Sequence, residues 1–287
     1  MWHCAAVNIL IHYGKEEERM KKFLALSLIA VMTAGVLAGC SSKTEEKPAD
    51  EKKEETTDGE TTADGETYIV ATDTAFPPFE FTDANGDFVG IDVDIINAIA
   101  EDQGITIDLQ SLGFDAALLA VQSGQADGII AGCSITDARK ETFDFSEPYY
   151  TADVTVAVAD GSDIKSFEDL AGKKVAVKTA TNGADFAKSI ADQYGFTVVE
   201  FKDSPTMYQD VIAGNTAACF EDYPVMAYNI QQGAALVIPD GMLGAGSDYG
   251  FAVAKGENAE LLEKFNAGLE NIKANGKFDE IVDKYTK

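Results

Sequence analysis

Histidine is almost missing from this chain. Its two copies, His3 and His12, lie in the first nineteen residues, together with the one tryptophan, Trp2. From residue 20 onward no imidazole remains, which removes Ser-His and Cys-His nucleophilic catalysis and His-based zinc sites at once. Cysteine is scarce as well. Cys133 and Cys219 follow Cys40 far apart and in no metal-binding spacing; they could pair, but read better as small buried residues. Positive charge is short: 22 Lys+Arg stand against 49 Asp+Glu, a formal charge of −27. No basic cluster follows residue 53, so nucleic acid, which needs a basic face, is excluded as a partner. Arginine is rarest among the cations, with Arg19 and Arg139 alone.

What is present is a chain of 287 residues, 46% of them hydrophobic, enough for one large or two ordinary domains. Met20-Lys21-Lys22, the apolar run Phe23–Ala38 and the ending Leu37-Ala38-Gly39-Cys40 read as a signal peptide. The apolar run is short for a membrane span. Leu-Ala-Gly-Cys resembles a bacterial lipobox, which implies that Cys40 carries a lipid such as palmitate and becomes the new N-terminus. Residues 1–19 then lie upstream of the signal and read as a mis-assigned start, with translation beginning at Met20. Removing residues 1–39 leaves Arg139 as the one arginine beside 17 lysines and a charge of −28. Residues 40–67 are rich in Lys, Glu, Thr, Asp and Gly, and repeat as TTDGE and TADGE. They bury too little to order themselves and read as an acidic tether. Lipid and tether would hold the folded part just outside a membrane.

From Tyr68 onward apolar strands alternate with amphipathic helices, the pattern of α/β units with largely parallel sheets. Strands are expected at 68–72, 105–109, 128–131, 155–159, 174–178, 197–201, 217–220 and near 250–254. Asn85-Gly86 signals a hairpin, Asp92 a helix N-cap and Gly104 that helix's end. Ligands of α/β sheets sit beyond the C-terminal ends of the strands. The polar residues there are Asp73, Gly132–Ser134, Lys178–Gly183 and Glu221-Asp222. Each alone reads as turn chemistry; four on one edge point to a cleft. Arg139 follows one of these loops. It is either an ordinary surface cation or a planar fork for a carboxylate or phosphate.

The segments ATDTAFPPFEF (71–81), GIDVDIINAIA (90–100), SITDARKETFDFSEPYY (134–150), VAVKTATNGADFAK (175–188) and ANGKFDEIVDKY (274–285) resemble the extracellular solute-binding proteins of polar amino-acid ABC importers, family 3, and among them the glutamine-binding members. The resemblance spans about residues 67–287. It implies a type II periplasmic-binding-protein-like fold: two α/β lobes joined by two crossing strands, with the ligand cleft between them. Lobe one would comprise 67–148 and 250–287, lobe two 154–244, and the crossings 149–153 and 245–249. By position, Arg139 would grip the ligand α-carboxylate, helped by the Ser134 amide and the helix start at Thr181, Asn182 and Gly183. Asp222, the Gly132 carbonyl and the Ser134 hydroxyl would cage the α-ammonium. Phe76 and Phe114 would sandwich the side chain, and Asp73 and Lys178 would meet its polar end.

Asp73, Asp222, Lys178 and Arg139 sum to zero around a zwitterion, which favours a neutral side chain, glutamine first. Were Glu221 to face the cleft, the balance would become −1 and arginine, lysine or histidine would gain. The resemblance implies no enzyme, metal or cofactor, a monomer, and a permease partner in the membrane. Two other classes are open: a dehydratase on the same fold, in which a carboxyl moves the proton, and a sensory module.

Overall fold

The computed structural model describes residues 66–287. The expected start at Met20, the signal peptide, Cys40 and nearly all of the tether lie outside the described residues. Strand β1 (Thr67–Thr72) begins where the tether was expected to end, with Thr67 already in register with Thr106.

The first sheet is built from β1, β4 (Thr106–Ser111), β5 (Gly128–Ile129), β6 (Phe143–Phe145) and β14 (Ala252–Ala254), in the order β4-β1-β5-β14-β6. Its β4-β1-β5 core is parallel, while β14 runs antiparallel to β5 and β6. A small hairpin, β2 (Phe81–Thr82) with β3 (Phe88–Val89), turns at Gly86, where φ is 92°. Helices α1 (Ile91–Gln103) and α2 (Phe114–Gln122) cover opposite faces of the sheet. The α1 face joins Ile91, Ile95, Ile96 and Ile99 to Leu261, Phe265, Leu269 and Ile272 of α7 (Ala259–Ala274). Gly268 lets α1 and α7 approach, since a Cβ there would lie 2.7 Å from Ile99. The C-terminal α8 (Lys277–Thr286) adds Ile281 to the same core.

Asp92 is not the cap of α1. The helix starts two residues earlier, with Gly90 as N-cap, and Asp92 lies buried in the first turn. A side chain at Gly90 would overlap the Phe79 carbonyl, and φ is 143°, so only glycine lets the 76–80 loop pack against the helix start.

The second sheet contains β8 (Val154–Ala159), β9 (Lys174–Lys178), β10 (Thr197–Phe201), β11 (Ala218–Asp222) and β12 (Leu236–Val237), in the order β10-β9-β11-β8-β12. Here too three strands are parallel, while β8 runs antiparallel to both of its neighbours, β11 and the edge strand β12. The sheets are therefore mixed rather than largely parallel. Helix α4 (Asn182–Tyr194) packs on one face around Phe220. Helices α5 (Ser204–Ile212) and α6 (Tyr223–Gln231) bring Met207, Tyr208 and Met226 to the other. Cys133 and Cys219 are buried and unpaired in separate lobes, as small core residues.

Between the sheets the chain crosses through β7 (Tyr150–Ala152) and returns through β13 (Ser247–Tyr249), and these two strands pair antiparallel. Among the described residues no helix is long and apolar enough to cross a membrane.

Candidate functional site

The C-terminal ends of β1, β9 and β11 and the loop after β5 converge on the space between the two sheets. A tight cavity of about 10 Å³ lies there, lined by Phe76, Phe114, Ala131, Gly132, Ser134, Arg139, Lys178, Thr181, Asn182 and Asp222. Nine of these were collected from the sequence. Ala131 was not, because a small apolar residue at a strand end carries no signal of its own.

Arg139 sits on the short helix α3 (Asp137–Lys140), which Thr136 caps by accepting from the Arg139 N–H. Nη1 donates to the Ser134 carbonyl at 2.7 Å and makes a longer contact of 3.7 Å to the Cys133 thiol. Nη2 donates to the Ala180 carbonyl at 2.8 Å, which belongs to the other lobe. The guanidinium carbon lies 5.2 Å from the centre of the Phe114 ring. Arg139 is thus a cleft residue that ties both lobes, not a surface cation.

Lys178 ends β9 fully buried. Its ammonium lies 4.1 Å from the centre of the Phe76 ring and 5.6 Å from that of Phe114, and donates to Asp73 at 2.8 Å. Both side chains of this cross-lobe pair are 2% exposed, so it works at low effective dielectric. Burial alone would raise the Asp73 pKa. The Lys178 charge and the N–H groups of Thr74 and Phe114 outweigh it and hold the carboxyl below its ordinary value. Burial likewise opposes charge on Lys178, but Asp73 first, then Glu221 and Glu80, raise its pKa. Asp73 stands behind the cavity wall and touches it through Lys178.

Asp222 closes β11 and accepts a short bond from the Tyr249 hydroxyl of crossing strand β13. Burial and then the neighbouring Glu221 charge push its pKa up to about 7, against relief from Tyr249, Lys178 and Arg139. Glu221 turns away from the cavity. It accepts from Ser204 at 2.7 Å and Tyr208 at 2.8 Å inside the second lobe, and from the Asp222 N–H at 3.0 Å. Alternation along the strand sends neighbours to opposite faces, so the direct −1 balance considered from the sequence does not arise.

Thr181 caps α4 by accepting from the Ala184 N–H at 3.1 Å, and Thr181 and Asn182 bring the start of that helix to the cavity. Asn182 donates to Ser247, the first residue of crossing strand β13, at 3.4 Å. Gly132 has φ of 53°, and a Cβ there would lie 2.6 Å from the Phe76 ring. The arrangement offers a guanidinium and helix N–H groups for an anion, a buried carboxyl for a cation, and two aromatic rings beside an ion pair. Among the described residues no group of three metal-ligating side chains occurs.

Residues 68–287 match the family described as bacterial extracellular solute-binding proteins, family 3. The chain is 31% identical over 276 residues to the ABC transporter glutamine-binding protein GlnH of Bacillus subtilis, covering 93% of this chain and 98% of that one. A solved ancestral arginine-binding protein bound to glutamine is 40% identical, with a TM-score of 0.71, covering 76% of this chain and 97% of its own. The second substrate-binding domain of GlnP from Lactococcus lactis, in an open conformation, is 44% identical and covers 79% and 98%. Its TM-score is only 0.53. The more similar sequence, solved in an open conformation, superposes less well. The architecture is the two-lobed type II periplasmic-binding-protein-like fold.

Proposed function

Because the chain belongs to the bacterial extracellular solute-binding proteins, family 3, we propose that this amino-acid-binding protein of an ABC importer captures glutamine by closing its two lobes. The observation that carries the reading is the cavity itself. It is lined by Arg139 and the start of α4, which would take a carboxylate, by Asp222, which would take an ammonium, and by Phe76 and Phe114. The ligand α-carboxylate would take Arg139 donors now given to Ser134 and Ala180. Its ammonium would meet Asp222, the Gly132 carbonyl and the Ser134 hydroxyl.

The side chain would run between the rings toward Lys178 and Asp73. A terminal amide both accepts and donates, so it can serve the two ends of that pair without leaving a charge unmatched. A cationic side chain would have to share the aromatic slot with the Lys178 ammonium. A carboxylate would face Asp73, and an unrelieved buried repulsion costs several kcal/mol. Lobe one would comprise 67–148 with 250–287 and lobe two 154–244, turning about 149–153 and 245–249.

A thermal-shift screen of residues 66–287 against the common amino acids, followed by calorimetry, tests the reading. Glutamine should raise the midpoint most. A larger rise with arginine, lysine or histidine moves the assignment to a basic amino acid, the second reading, which the likeness to an arginine-binding protein supports. No rise with any amino acid overturns both. A dehydratase would have to route a proton through Asp222, and turnover of arogenate would reveal it. The lipobox supports anchoring through Cys40 outside the membrane, where a monomeric receptor would hand its ligand to the permease. Mass spectrometry of the membrane fraction should find Cys40 acylated at the mature N-terminus.

A further inference from the structure

Two carboxyl groups that the cavity does not use, Glu80 and Asp92, are fully buried beside it. Both oxygens of Glu80, and Oδ1 of Asp92, meet no donor from any other residue. The two carboxyls are nevertheless within hydrogen-bonding reach of each other. Ionised carboxylates only accept, and two desolvated anions side by side repel. A single proton held between them turns the repulsion into a charge-assisted bond.

We infer that Glu80 and Asp92 share one proton and act as a positioning pair that sets Gly132 in the cavity wall and Tyr149 at the crossing strand. Asp92 Oδ2 accepts from the Gly132 N–H at 2.7 Å and from the Tyr149 hydroxyl at 2.8 Å. With Glu80 donating to Oδ1, the Asp92 anion has three donors. The Gly132 amide fixes a backbone that lines the cavity and against which the Phe76 ring packs. The Tyr149 N–H in turn donates to the Tyr249 carbonyl at 3.0 Å, and the Tyr249 hydroxyl donates to Asp222. The pair therefore lies at one end of a bonded path that runs through both crossing segments to the opposite lobe.

The charged and titratable groups that act on the pair are Asp73 and Lys178 from the ends of β1 and β9, with Tyr149 and Cys133 on its other side. Lys178 is already held by Asp73, so it does not supply the missing donor. Burial pushes Asp92 up to about 7, and burial with the Asp92 charge pushes Glu80 well above its ordinary value. The pair thus keeps a proton at neutral pH and gives it up as the pH rises.

Only the binding arm of the test rests on the amino-acid reading of the cavity. Infrared spectra of the ligand-free protein at neutral pH should show a protonated-carboxyl band that E80Q removes. The Gly132 amide resonance should stay in place in E80Q, which keeps a donor, and move in D92N, which loses the anion. With L-glutamine and L-arginine as calorimetric probes, E80Q should bind like the parent at neutral pH and lose less affinity at alkaline pH. D92N should bind about tenfold or more weakly. Y149F, which removes one donor and keeps the packing, should also move the Gly132 resonance and weaken binding, and serves if D92N does not fold. A protonated-carboxyl absorption left unchanged by E80Q overturns the proposal, as does a Gly132 resonance unmoved in both D92N and Y149F. If the parent binds neither probe, the functional reading fails, while the band and the resonance still decide the pair.

Discussion

At the scale of single residues, the cavity concentrates charge that water would otherwise carry. Arg139 uses its planar fork on two carbonyls of two lobes. Arg139→Lys keeps the charge and loses that geometry, and should cost roughly 2–5 kcal/mol of ligand affinity by calorimetry. Lys178→Met would strand Asp73, buried and without its cation. Removing one partner of a buried pair costs about 3–5 kcal/mol, measurable by denaturant unfolding. Since Lys178 holds the Asp73 pKa down, the pair's stabilisation is present above the unfolded carboxyl value of about 4 and is lost as the pH falls. Asp222 has the opposite sign, with a pKa of about 7. A bound ammonium prefers its anion, so binding should release a proton below that pH. Affinity should then fall by at most about tenfold per pH unit as the pH is lowered, and calorimetry in buffers of different ionisation enthalpy should detect the proton. The strand-end rule made these residues legible, because an α/β sheet delivers its chain ends to one edge. The direction of Glu221 was not legible, nor was the place of Asp73 behind Lys178. Both depend on which side chain wins a partner after the lobes meet.

At the scale of elements, strand and helix positions followed from apolar runs and their caps. Strands β9 and β10 have the expected limits, and Gly104 ends α1 in the left-handed conformation. Asp92 misled because its residue type and spacing suit a cap, whereas the close approach of Phe79 to Gly90 moved the helix start and turned Asp92 inward. Strands β6 and β12 were missed; they are two or three residues long and exist through pairing with distant partners. Gly132 shows how one backbone position serves a whole element. Gly132→Ala would require a left-handed alanine and push the Phe76 ring aside, at about 1–3 kcal/mol. The outcome should be weaker ligand binding with a smaller loss of thermal stability, read by calorimetry and melting together.

At the scale of the molecule, closure rests on few cross-lobe ties of unequal value. Lys202 meets Asp115 across the cleft mouth, yet the two side chains are 75% and 29% exposed. Such a pair is worth at most about 1 kcal/mol and weakens with salt. Lys202→Ala should therefore change ligand affinity less than about fivefold, far less than loss of the buried Lys178 tie. A larger loss that persists in high salt would assign the rim a greater part in closure. The strand β14, near the end of the chain, lies inside the first sheet between β5 and β6, while every strand of the second sheet comes from one continuous stretch. Order of synthesis therefore does not match order of completion. The strands of the second sheet are all present as soon as its segment is made, whereas the first sheet stays split until the last forty or so residues arrive. A chain still threading through a membrane would remain unfinished, and hence pliable, until almost its final turn.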